Sequence, residues 1–89
     1  ILNGEIFLDI EVELAKARAK FPENTHLLAA ATEEMGELAQ AFLHLNFENK
    51  GSHEDIYAEA VQLAAMAIRL ATEGDSTLPL YYPGRGRGG

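Results

Sequence analysis

Apolar positions recur at three- and four-residue intervals along most of this chain, in three runs separated by proline, asparagine and glycine. In the first run Ile6, Ile10, Leu14 and Ala17 keep close to a helical period. The spacing predicts a helix over roughly Glu5 to Lys20, ended by Phe21-Pro22 because a residue before proline is pushed out of the α region. Asn24 or Thr25 offers an N-cap for a second helix running to about Leu45. Residues 46–52 read as a loop with Asn49-Lys50-Gly51 as its turn. Ser52 and Asp55 have the spacing of a capping box, with Asp in place of the usual Glu, and open a third helix. That helix is expected to end near Glu73 with Gly74 as its C-cap. No run alternates with the period of a strand, so the expected fold class is all-α, with one shorter and two long helices.

The second helix carries a seam of Leu28, Ala31, Met35, Leu38, Phe42 and Leu45, the spacing of packed helical bundles. The third carries Ile56, Leu63, Met66 and Leu70, and is apolar or alanine on most other sides as well. A helix apolar nearly all round is buried on several faces, which three helices alone do not supply. The expectation is a three-helix subunit that completes a four-helix-type bundle by oligomerisation, as a homodimer or homotetramer. Residues 1–76 form the helical domain, and residues 77–89 a tail rich in Pro, Gly and Arg.

Size and charge narrow the classes. At 89 residues the chain is a small single domain, of the kind whose stability often leans on a partner or a metal. Disulfides are excluded, because there is no cysteine. No apolar run approaches the roughly 20 residues a bilayer span needs, so a soluble cytoplasmic protein with no membrane partner is expected. The net charge is −7, and two of the seven basic residues, Arg85 and Arg87, lie in the tail. So acidic a body repels a phosphate backbone, which argues against nucleic acid as the partner, and two tail arginines do not reverse that. An anionic substrate is acceptable only if it arrives with cations.

Against this background the stretch TEEMGELAQAF, residues 32–42, is unusual: three glutamates lie in a core-forming helix. At about 100° per residue, Glu34 and Glu37 fall beside the apolar stripe, near Leu27, Ala30 and Ala41, while Glu33 turns outward. On the third helix Glu59 falls within the stripe and Gln62 one position off it. Buried carboxylates are paired or bound to metal, and cations are scarce here: helix two has none, and helix three only Arg69. Hard oxygen ligands of this kind favour Mg²⁺, with Mn²⁺ as an alternative, over zinc.

Glu33-Glu34-x-x-Glu37, followed after a loop by Glu59-x-x-Gln62, resembles the MazG-like all-α nucleoside triphosphate pyrophosphohydrolases over roughly Leu14 to Asp75. The family pattern is EExxE, then ExxD; twenty-one residues separate Glu37 from Glu59, which suits it. The resemblance implies a Mg²⁺-dependent enzyme that cleaves a (deoxy)nucleoside triphosphate to the monophosphate and pyrophosphate, a reaction suited to nucleotide-pool housekeeping. It implies Glu34, Glu37 and Glu59 as catalytic metal ligands, with Gln62 at the fourth position. Gln62 departs from the pattern, since an amide supplies an oxygen but no charge. Glu33 is expected to act behind the ligands, and Asp55, one turn before Glu59, is either an alternative ligand or simply the cap of helix three.

Lys16, Lys20 and Arg69 are the candidate phosphate contacts. Phe7, Phe21, Phe42, Phe47 and Tyr57 are expected in the core rather than stacked on a base, and His26, His44 and His53 on the surface. Two rivals use the same residues differently. A ferritin-like di-metal bundle wants ExxH pairs from helix interiors, and the one such pair, Glu23 to His26, falls at a turn. A catalytically inactive helical oligomer, a scaffold or binding module, keeps the apolar seams and is favoured by Gln62.

Overall fold

A computed structural model of the chain describes residues 4–78. It contains three helices, α1 (Gly4–Lys20), α2 (Leu27–Phe47) and α3 (His53–Glu73), and no strand among the described residues. The all-α expectation holds, with every helix boundary within two residues of the one expected. Among the described residues no helix is long and apolar enough to cross a membrane. The expected tail lies, from residue 79 onward, outside the described residues.

α3 is the centre. α1 and α2 each pack against it and not against each other, which leaves a trough between them. α3 opens with the capping box read from the sequence: the Asp55 amide donates to the Ser52 hydroxyl at 3.2 Å, and the Ser52 amide donates to the Asp55 carboxylate at 2.9 Å. Gly74, at φ 71°, closes the helix with its amide on the Leu70 carbonyl. Tyr57 donates its hydroxyl to Asp9, and Arg18 pairs with Glu73 at 2.9 Å, so α1 runs alongside α3 in the same direction.

The N-terminus of α2 is not capped as expected. His26 occupies the cap position with φ 58° and contributes no side-chain bond. Asp75, nearly fifty residues away in sequence, takes the role: its carboxylate accepts from the Leu28 amide at 2.9 Å and the His26 amide at 3.1 Å. The Thr77 amide and hydroxyl donate to the same carboxylate. Asn24, one of the two expected caps, instead donates to the Glu73 carbonyl at 2.7 Å, and the Ser76 amide returns a bond to the Asn24 carbonyl. The ends of α3 and α2 are thus stitched together through one buried carboxylate.

Arg69 is fully buried. Nη1 donates to the carbonyls of Phe21, at 2.9 Å, and Ala17; Nη2 donates to Glu73, at 2.7 Å, and the Glu23 carbonyl; Nε donates to Glu73. Five N–H groups meet five bonds, which is the full capacity of a guanidinium. The Phe21 and Glu23 carbonyls lie where α1 ends at Phe21-Pro22, and the Ala17 carbonyl is shared with the Phe21 amide.

The packing seam of α2 is rotated from the expected one. Toward α3 it presents Leu27, Ala30, Glu34, Leu38, Ala41 and Leu45, which are buried or half-buried. Leu28, Met35 and Phe42, three residues of the expected seam, are each about half exposed in the single chain. The aromatics expected in the core are also outside: Phe7, Phe21, Phe42, Phe47 and Tyr57 are all exposed. The physical reason is the small cross-section of three helices, in which α3 touches only one face of α2. Among the described residues the fully buried apolar set is Leu27, Val61 and Ala65.

Two outcomes follow for stability. Arg69→Met is expected to destabilise the fold by about 3 kcal/mol, since it strips a buried ion pair and leaves carbonyls unpaired; chemical denaturation measures this, and a loss near zero would contradict the clasp. Asp75→Ala should lower Tm by roughly 5 °C or more at neutral pH. Bonds from the Leu28 amide and then Thr77 hold the Asp75 carboxyl at about 2, below its ordinary 3.8. A depressed carboxyl stabilises fully above its unfolded value and loses that contribution as pH falls through the folded one. The Tm gap between wild type and Asp75→Ala should therefore narrow as the pH drops from about 4 toward about 2.

Candidate functional site

Glu34 and Glu37 stand three residues apart on α2, and Glu59 faces them from α3, because the antiparallel packing of these helices brings their middles together. One carboxylate oxygen from each can be chosen so that all three lie within 4.8 Å of one another. Glu34 and Glu59 are half-buried and Glu37 is exposed at the rim. Oε1 of Glu34 and Oε1 of Glu59 are buried with no hydrogen-bond donor. Neither residue has a salt-bridge partner among the described residues.

Such an arrangement is electrostatically costly. Burial pushes the Glu34 carboxyl above its ordinary range, and the charges of Glu37 and Glu59 push it further. Glu59 is raised as well, again first by burial, then by its proximity to Glu37. Two orphaned oxygens and three converging carboxylates form a donor set of hard oxygens that fits a divalent cation with a preference for oxygen ligands. The same set offers no nitrogen or sulfur ligand.

Beside the cluster lies the trough between α1 and α2, with a volume of about 950 Å³. Glu34 belongs to both; Glu37 and Glu59 do not line the trough. Gln62 and Met66 of α3 contribute to its floor. Ala17, Lys16 and Lys20 come from α1, and Ala30 from α2.

The remaining residues singled out in the sequence divide. Glu33 is exposed on α2, as expected from its outward angle, and lines the trough's edge. Asp55 is committed to its capping box, so the three-carboxylate cluster forms without it. Lys16 is exposed and pairs with Glu13 at 3.5 Å; the Lys20 ammonium sits 5.4 Å from the centre of the Phe21 ring. Arg69, expected among the phosphate contacts, instead has all its donors spent on the protein itself. Gln62 is half-buried, and its amide has no hydrogen-bond partner among the described residues. The trough was the feature missed in the sequence. Its signal was the recurrence of alanine at positions 17, 29, 30 and 65, which reads as ordinary helix composition until the helices are placed.

The cluster generates a pH-dependent expectation. A carboxyl raised in the folded state costs stability once pH climbs through its folded value, and costs nothing below its unfolded one. Glu34→Gln should therefore raise Tm by a few degrees at neutral pH in metal-free buffer, with the gain vanishing as the pH falls below the ordinary glutamate range. Calorimetry across that pH range checks it; a variant no more stable than wild type at neutral pH would remove the strain argument.

No protein-family model, curated protein or solved structure matches this chain.

Proposed function

We propose that the protein is a Mg²⁺-dependent nucleoside triphosphate pyrophosphohydrolase, with Mn²⁺ as an alternative cation. The observation that carries this reading is the convergence of Glu34, Glu37 and Glu59, with two buried oxygens lacking any donor, at one end of a ligand-sized trough. The resemblance of the EExxE and ExxQ segments to the MazG-like family supplies the reaction class.

In this reading the three glutamates would hold the cation, which would neutralise phosphate charge and orient the triphosphate. Glu34 borders both cluster and trough, so it is the carboxylate placed to take a proton from an attacking water. Attack forms a water oxygen–phosphorus bond at the α phosphate and breaks the bond to the bridging oxygen, so pyrophosphate leaves in line. Lys16 and Lys20 present ammonium groups along the trough and are the cations available for phosphate contact. Glu33 adds negative charge behind the ligands.

The subunit is proposed to act as a homodimer or homotetramer. Support comes from the stripe of Leu28, Met35 and Phe42 on α2, which has the seam spacing of a helix bundle and is about half exposed among the described residues. A cytoplasmic setting accords with the cysteine-free sequence. The second reading, a catalytically inactive oligomeric scaffold, is favoured by the neutral amide of Gln62 where the family pattern has an acid.

Pyrophosphate release from a panel of ribo- and deoxyribonucleoside triphosphates decides between them. Release is expected with Mg²⁺ and not with EDTA, and Glu37→Ala and Glu59→Ala should each reduce it by about two orders of magnitude or more. No release from any nucleotide by a folded, oligomeric protein would leave the scaffold reading in its place.

A further inference from the structure

Residues 76–78 run at one mouth of the trough. The Ser76 amide donates to the Asn24 carbonyl, and the Leu78 amide donates to the Asp75 carbonyl. Asp75 in turn binds the amides of His26 and Leu28. The backbone therefore leaves this junction beside Glu23, Thr25, His26 and Leu27, all of which line the trough. From that mouth the trough follows α2 as far as Glu34, about 10 Å at 1.5 Å per residue. Its lining changes on the way. Phe21 and Leu27 stand near the mouth, Ala30 and Ala65 in the middle, and Glu33 and Glu34 at the far end.

The charges along the trough do not cancel. Arg69 has all its donors spent on the protein, and Lys16 is paired with Glu13 at 3.5 Å. The Lys20 ammonium stays beside the mouth, 5.4 Å from the centre of the Phe21 ring. Glu23, Glu33 and Glu34 have no salt bridge among the described residues, and Oε1 of Glu34 is buried without a donor. A fitting occupant is apolar or aromatic where it enters and cationic at its far end. Residues 79–87 of this chain, PLYYPGRGR, offer that order: Leu80, Tyr81 and Tyr82 first, then Arg85 and Arg87. Their reach is sufficient. At about 3.3 Å per extended residue, Arg85 can stand up to about 23 Å from Leu78, against the roughly 10 Å from the mouth to Glu34.

We propose that residues 80–87 lie along the trough of their own chain as a strap, with Tyr81 and Tyr82 against Ala30 and Ala65 and Arg85 or Arg87 donating to Glu34. The guanidinium supplies the donor that Oε1 of Glu34 lacks, as a charge-assisted bond. At the mouth the Lys20 ammonium meets aromatic rings rather than arginines, which adds to the fit. The strap covers the carboxylate cluster in the metal-free protein, and a divalent cation displaces it by competing with the guanidinium for Glu34. None of this depends on which reaction the cluster performs.

Nuclear magnetic resonance of the full chain in metal-free buffer reads the contact directly. Cross-relaxation is expected between the Tyr81 and Tyr82 ring protons and the methyl groups of Ala30 and Ala65. A mixture of isotope-labelled and unlabelled chains shows whether both partners belong to one chain. Mn²⁺ is then titrated into wild type and into two double variants, Arg85→Gln with Arg87→Gln and Tyr81→Ser with Tyr82→Ser, whose substitutions lie outside the three helices. A strap that occupies the cluster most of the time lowers apparent cation affinity in proportion to the fraction left open. Both variants should therefore bind Mn²⁺ about fivefold more tightly than wild type. Absence of cross-relaxation in wild type overturns the strap. Cross-relaxation found only between different chains overturns it too, and makes the segment a link between copies. Equal Mn²⁺ affinity in all three proteins overturns the masking of the cluster. If none of the three binds Mn²⁺, the proposed function falls, and the cross-relaxation alone decides the strap.

Discussion

Arg69 carries a full charge out of reach of solvent, and the molecule is arranged so that each of its N–H groups has an acceptor. Three of those acceptors are main-chain carbonyls at and just beyond the end of α1: those of Phe21 and Glu23, beside the Pro22 stop, and that of Ala17, which also accepts from the Phe21 amide. The fourth and fifth bonds go to Glu73, which Arg69 first, and Arg18 as well, hold below the ordinary carboxylate range. A guanidinium is suited to this because its planar fork reaches several oxygens at once, which a lysine cannot. The consequence is spatial: α1 is fastened to α3 at its C-terminal end, and the trough keeps its width there without α1 touching α2.

Asp75 complements that clasp. It lies just past the end of α3 and binds the first amides of α2, so the junction of all three helix ends is held by one buried cation and one buried anion. That end of the subunit is therefore rich in satisfied polar groups. The middle is the opposite. Glu34 and Glu59 carry buried oxygens without donors, on the faces where α2 and α3 would otherwise pack most favourably. Apolar residues there would be more stable, so the placement of carboxylates is the kind of local conflict that marks a functional site.

Much of the fold was legible in the chain. The 3.6-residue period located three helices, Phe21-Pro22 ended the first, and the Ser52–Asp55 box and Gly74 bounded the third, because each of these acts through neighbours a few residues away. The candidate site was legible for a related reason: Glu34 and Glu37 share a helix face by spacing alone, and Glu59 interrupts an apolar stripe. What misled was the choice of face. Leu28, Met35 and Phe42 have as good a period as Leu27, Ala30 and Leu38, and period says which residues share a stripe without saying which stripe meets the neighbour.

The sequence by itself determined the helices, their ends where local chemistry sets them, and the carboxylates that stand on inward faces. Only the tertiary structure decided that Asp75 caps α2, that Arg69 is a clasp and not a phosphate contact, and that Gln62 lines a trough between α1 and α2. These depend on contacts between residues roughly thirty to fifty apart, whose energies come from geometry that no spacing rule encodes. A carboxylate past a helix end, an arginine on a polar line and four scattered alanines gain their meaning only when three helices are laid against one another.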